Sequence, residues 1–143
     1  MTLCHASAVV WERAAVLLTG PSGAGKSDLA LRMIDRGWQL LADDQVRLGA
    51  EDGLLFAHAP ATTRGLIEVR GLGILSFHSV ASARVALHVT LAPEPERIPE
   101  PATYMLLGVM IPALVLDPRP ASAPIKLAHA FARARLALRP HTI

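Results

Sequence analysis

Short apolar runs broken by turn residues dominate the first half of the chain, and helical periodicity appears in only two places. Val9-Val10 and the wholly apolar stretch from Ala14 to Thr19, joined by Trp11-Glu12-Arg13 as a turn, predict a hairpin whose second strand is buried on both faces. From about Gly25 to Arg36 the period changes. Leu29, Ala30, Met33 and Ile34 recur at helical spacing, Asp28, Arg32, Asp35 and Arg36 fall elsewhere, and Gly37 supplies a stop. Trp38 to Ala42 predicts the next strand, ending in Asp43-Asp44. Further short strands are predicted at 46–48, 54–57, 66–69, 74–77 and 84–91. Pro93 to Pro101 holds four prolines in nine residues and must be a loop. Tyr104 to Val115 predicts one or two strands more. The tail predicts a helix with Ser122 as N-cap, Pro124 in its first turn and an apolar stripe of Leu127, Phe131, Ala134 and Leu138. Arg133, Arg135 and Arg139 would complement its dipole.

Composition narrows the picture without changing it. The 143 residues are enough for one domain, and 52% hydrophobic content supports a real core, largely aliphatic because only 4% is aromatic. The net charge of +2 carries no basic run interleaved with aromatics, so nucleic-acid binding is not expected. Cys4, the single cysteine, excludes an internal disulfide and fits a reduced compartment. Glu12 and Arg13 interrupt the apolar N-terminal stretch, so no signal peptide is expected, and 105–116 is too short to span a bilayer. A soluble, cytoplasmic, single-domain protein over residues 1–143 is expected.

The chemistry sits at the junction of the second strand and the first helix. Gly20-Pro21-Ser22-Gly23-Ala24-Gly25-Lys26-Ser27 has the G-x-x-x-x-G-K-S spacing of a phosphate-binding P-loop. The glycines let backbone N–H groups curl around phosphate oxygens, and the helix N-terminus favours negative charge. Lys26 is positioned for the β- and γ-phosphates and Ser27 for Mg²⁺. Lys26 and Lys126 are the only lysines, against twelve arginines. Asp43-Asp44 lies one helix and one strand further on. A helix of about eleven residues spans roughly 16 Å and a returning strand of about five covers a similar distance, so a crossover brings the pair back to the phosphate edge. There one carboxylate serves Mg²⁺ and the other an incoming hydroxyl.

The segment 17–46, which contains L-L-T-G-P-S-G-A-G-K-S and the A-D-D triplet, resembles the P-loop, helix and "ADD" segment of the bacterial HPr kinase/phosphorylase family. Glu68-Val69-Arg70-Gly71-Leu72-Gly73-Ile74 is similar to that family's E-[IV]-R-G-L-G-I block. The resemblance covers roughly residues 3 to 138 and corresponds to the catalytic C-terminal domain, as in the short alphaproteobacterial members. It implies an α/β fold of the P-loop kinase type, with a β-rich sheet, a P-loop helix and a C-terminal helix. It implies ATP and Mg²⁺ as cofactors, a serine of the phosphocarrier protein HPr as acceptor, a reverse phosphorolysis, and a homo-oligomer, the family's usual assembly being a hexamer. By matching position, Lys26 contacts phosphates, Ser27 ligates Mg²⁺, Asp44 is the base toward the serine hydroxyl and Glu68 is a metal-associated glutamate. His5 matches an active-site histidine on the strand before the P-loop, and Arg70 opens a stretch tied to both activities, itself a plausible transition-state cation. Taken alone, His5 reads as structural, Glu68 as a strand carboxylate and Arg70 as a solvated cation.

Two positions depart from the pattern. Arg97 is the nearest match to an arginine placed after the central strands, and 116–120 stands where the family has a Gly-Arg loop tied to dephosphorylation. Kinase activity is therefore expected ahead of phosphorylase activity. The rival readings are a P-loop small-molecule kinase, which would insert helical segments where this chain turns to strands, and a non-catalytic nucleotide sensor, which would not need Asp44. A GTPase lacks support because no Asn-Lys-x-Asp motif occurs.

Overall fold

The computed structural model describes residues 1–138; Arg139, expected to complement the tail helix, lies outside them. The predicted hairpin forms as β2 (Ser7–Trp11) and β3 (Ala14–Thr19), with Trp11 inside the strand and Glu12-Arg13 alone making the turn in left-handed backbone. α1 (Lys26–Asp35) and β4 (Gln39–Ala42) follow. β5 (Val46–Glu51), β6 (Leu54–His58) and the long β9 (Ser82–Leu91) extend the sheet. The apolar stretch after the proline-rich loop resolves into two strands, β10 (Ala102–Leu106) and β11 (Val109–Leu116), and α2 (Ala123–Leu136) closes the chain. One strand had no signal in the sequence: β1 (Thr2–Cys4), too short for alternation to show, pairs antiparallel with the start of β5.

The nine-stranded sheet runs β1-β5-β6-β9-β3-β2-β4. β9 branches it, since its first residues pair antiparallel with β6 while 88–91 pair parallel with β11, which carries β10 on its far side. β3 and β9 are parallel neighbours, and β4, antiparallel to β2 as β3 is, runs in the direction of β3. Four strands, β4, β3, β9 and β11, therefore end on one edge. That edge is where open α/β sheets bind ligands.

Alternation along the strands divides the core. Val16 and Leu18 of β3 face α1 and α2, packing with Leu29, Met33, Leu127 and Phe131, while Ala15 and Leu17 point the other way toward Val46, Leu48, Leu55 and Ala57. A separate hairpin, β7 (Leu66–Val69) and β8 (Gly73–Ser76), is pinned to the helical side through the buried Ile67. Trp38 lies just before β4 and serves the core, its ring 4.8 Å from Phe131 and 5.8 Å from Trp11. Ser122 holds the N-cap position with near-helical backbone, but its hydroxyl makes no capping bond. Leu138 lies past the end of α2 and still packs against the core.

Candidate active site

The P-loop occupies the turn between β3 and α1. Gly20 (φ +151°), Gly23 (φ +82°) and Gly25 (φ +100°) all take backbone that side chains rarely adopt. At Gly20 there is no room either, since a Cβ would stand 3.2 Å from the Leu91 carbonyl oxygen. Gly25 is the N-cap of α1 and offers no side chain, so the amides of the first turn remain for an anion. Lys26 is buried, its ammonium donating to the carbonyls of Gly20 (2.7 Å) and Pro21 (3.1 Å). Two of its three hydrogens hold the loop in shape and the third is left for phosphate.

The crossover delivers Asp43-Asp44 to this edge. Asp43 Oδ1 accepts from Ser27 Oγ at 2.7 Å and from Ser7 Oγ at 2.8 Å. Ser7 Oγ in turn accepts from the Asp44 amide at 3.2 Å. These bonds divide the pair: half-buried Asp43 points at the P-loop serine, and exposed Asp44 turns outward. Asp44 does so in left-handed backbone (φ +69°), a conformation that Asp tolerates better than most residues and that the surrounding bonds hold in place. His5, which lies between β1 and β2 and not on a strand, donates from Nε2 to Asp44 Oδ1 at 2.6 Å.

A cavity of about 360 Å³ joins these parts, lined on one side by Ser22, Gly23, Gly25, Lys26 and Ser27 and on the other by Asp44, Glu68, Val69 and Arg70. Glu68 and Arg70 reach it from the β7–β8 hairpin, whose turn uses Gly71 (φ +90°) and returns through a Leu72 amide bond to the Val69 carbonyl. The approach of Glu68 to Asp43 is through its backbone amide, 3.4 Å from Asp43 Oδ2. Among the described residues no three His, Cys, Asp or Glu side chains converge as a ligand cluster, so Glu68 is not joined to the aspartates in a cage. The hydroxyl of Ser27 beside the carboxylate of Asp43 suits a hard cation that takes its remaining ligands from phosphate oxygens and water, as Mg²⁺ does. Arg97 lies exposed in the proline-rich loop, away from this lining.

One residue at this edge was missed. His88 on β9 is buried; its Nε2 is 3.3 Å from Thr19 Oγ1, whose hydroxyl also bonds the Val89 carbonyl, and its ring stacks on Tyr104 with centroids 4.1 Å apart. Burial pushes its imidazole below the ordinary histidine range. It props the residue that precedes Gly20, and a lone histidine in an apolar run carries no sequence signal for that task.

Fold and site together define a mixed α/β P-loop protein in which a phosphate cradle faces a divided aspartate pair. Comparison with known proteins makes this specific: residues 1–91 match the HPr Serine kinase C-terminal domain, and the chain belongs to that family. The HPr kinase/phosphorylase of Clostridium tetani is 48% identical over 65 residues, 46% of this chain and 21% of that protein. That of Bordetella pertussis is 48% identical over 66 residues, again covering 46% and 21%. The matched segment thus spans about a fifth of the length of these relatives. The structure of the Hpr(Ser) kinase/phosphatase from Coxiella burnetii superposes with a TM-score of 0.83 at 29% identity, covering 96% of this chain and 92% of that one. The predicted β-rich α/β fold with its two helices is the one observed. No helix among the described residues is long and apolar enough to cross a membrane.

Proposed function

We propose that the chain is an ATP-dependent protein kinase that phosphorylates a serine of HPr. The observation that carries this reading is the His5–Asp44 pair at 2.6 Å, whose aspartate lines the same cavity as the P-loop. A nucleotide sensor needs the cradle but has no use for an outward-facing carboxylate opposite it. Asp44 takes the proton of the acceptor hydroxyl as its oxygen attacks the terminal phosphorus, and His5 fixes the carboxylate's orientation. Lys26 and the amides of the first turn hold the phosphates, and Arg70 offsets charge on the transferring group. Mg²⁺ would be held by Ser27 and Asp43, with Glu68 near, and supplies charge neutralisation of the phosphates. Phosphorolysis would use the same groups in reverse, Asp44 returning the proton as inorganic phosphate accepts the phosphoryl group to give pyrophosphate.

Assembly as a homo-oligomer, a hexamer by the family resemblance, is supported by Met105 and Met110, a cross-strand pair of large apolar side chains exposed on β10 and β11. A cytoplasmic location follows from the proposed substrates. The test is direct: with ATP, Mg²⁺ and HPr, mass spectrometry should find one phosphoryl group gained on one HPr serine, and Lys26→Ala should abolish it. Absence of transfer to HPr, with ATP binding intact, would remove the acceptor assignment and leave the phosphate site standing.

A further inference from the structure

The acceptor machinery occupies only one flank of the P-loop. Around α1, Ser27 and Leu31 share one edge and line the cavity with Asp44, Glu68 and Val69, and Gly25 and Asp28 border it as well. A nucleoside lying away from Asp44 would leave the acceptor side of the cavity open. Gly25 and Arg32, seven residues apart, meet the loop that follows β11.

That loop is fixed to the P-loop with unusual care for an exposed connection. Pro118 is buried, its Cγ standing 3.3 Å from where a Cβ on Gly25 would lie. Its carbonyl accepts from Arg32 Nη2 at 2.6 Å. The neighbouring loop after β9 is tied to the same place by the Ala92 amide, which donates to the Leu116 carbonyl at 3.1 Å. Next to Pro118, Asp117 chelates Arg119 with both carboxylate oxygens: Oδ1 takes the Arg119 amide and Nε at 3.0 Å each, and Oδ2 takes Nη2 at 2.9 Å. The Asp117 side chain is mostly covered, whereas that of Arg119 is 70% exposed.

This chelate orients Arg119. Asp117 takes the Nε hydrogen and one Nη2 hydrogen, the side-on edge of the planar fork, and so fixes the plane of the guanidinium. The guanidinium is held in the plane of this chelate and is largely exposed, one residue from the P-loop contact. A fixed cationic plane of that kind is a stacking surface for an aromatic ring.

We propose that the Asp117–Arg119 loop is the nucleoside platform of this protein, with the base of the nucleotide lying on the guanidinium face of Arg119. This rests on the nucleotide-binding reading of the P-loop and extends it to a residue outside the cavity described above. Stacking on a guanidinium is tolerant of base identity, so ATP and GTP should bind within severalfold of each other.

The discriminating pair of ligands is ATP and inorganic tripolyphosphate, each titrated with Mg²⁺ by calorimetry. In the unaltered protein ATP should bind more tightly, because tripolyphosphate lacks the ring. Arg119→Ala should weaken ATP about five- to thirtyfold and leave tripolyphosphate within about twofold. Arg119→Lys should recover little, since an ammonium has no planar face. Equal losses for both ligands would show a phosphate contact instead and overturn the proposal, as would ATP affinity unchanged in Arg119→Ala with an unaltered melting temperature. If the unaltered protein bound neither ligand, or if Lys26→Ala weakened neither, the P-loop reading itself would fall and the platform with it.

Discussion

Two adjacent aspartates with the same side chain and the same local sequence end in different surroundings. Asp43 accepts two serine hydroxyls and faces the cradle, and Asp44 is turned out by left-handed backbone to meet His5. The difference gives their substitutions different signatures. Asp44→Asn keeps the size and the left-handed tolerance of the residue but loses the base, so kcat for phosphoryl transfer should fall about 10²- to 10⁴-fold with ATP affinity nearly unchanged. Asp43→Asn touches the Ser27 hydroxyl and should weaken Mg-ATP binding as well, which a titration at varied Mg²⁺ would reveal. Equal kinetic profiles for the two variants would contradict the division of labour. The P-loop and the aspartate pair were legible in the sequence because both are local: eight residues in one case, two in the other, joined by a helix of predictable length. His5 was not legible from its own surroundings. Its partner is 39 residues away, and only a family resemblance or the folded edge brings the two together.

At the scale of elements, prediction succeeded where hydrophobic period was long enough to be measured. α1 and α2 were read from their stripes, and the paired runs around Glu12-Arg13 from their unbroken apolar character. β1, with three residues, gave nothing to count, and it exists because β5 offers an edge to pair with. The Ser122 cap shows the opposite error. Serine before an apolar stripe is the standard start signal, yet here the backbone is already helical and the hydroxyl bonds nothing. Ser122→Ala should therefore change thermal stability by less than about 0.5 kcal/mol, against the ~1 kcal/mol that loss of a bonded cap costs. A larger loss by calorimetry would show the hydroxyl in use. The β7–β8 hairpin depends on different support, since Ile67 is its deeply buried anchor while Leu72 and Ile74 are exposed. Ile67→Ala should destabilise by about 2–4 kcal/mol and loosen the hairpin that carries Glu68 and Arg70, seen as faster amide exchange there.

For the molecule as a whole, the buried imidazole of His88 sets a pH response. Burial lowers its pKa, so between that lowered value and the ordinary value of about 6.5 the unfolded chain binds more protons than the folded one. Stability contributed by the neutral form is complete above pH of about 6.5 and declines as pH falls toward the folded value. Melting temperature should thus drop on acidification from pH 7.5 to 5.5, and His88→Gln, which does not titrate, should drop less over the same range. Parallel slopes for the two proteins would assign the acid sensitivity to other groups.

The branching of β9 has a temporal consequence. β3, buried on both faces and bearing the P-loop at its end, finds its parallel partner only in residues 84–90, and those same residues must also receive β11 and, through β6, the β5 and β1 strands. Synthesis proceeds at roughly 5–20 residues per second, so the apolar run 14–18 leaves the ribosome several seconds before anything can cover its β9 side. Such non-local closure is slow in refolding too. The segment that makes the phosphate cradle possible is therefore the one most open to capture by chaperones or by other nascent chains until residue 91 has emerged.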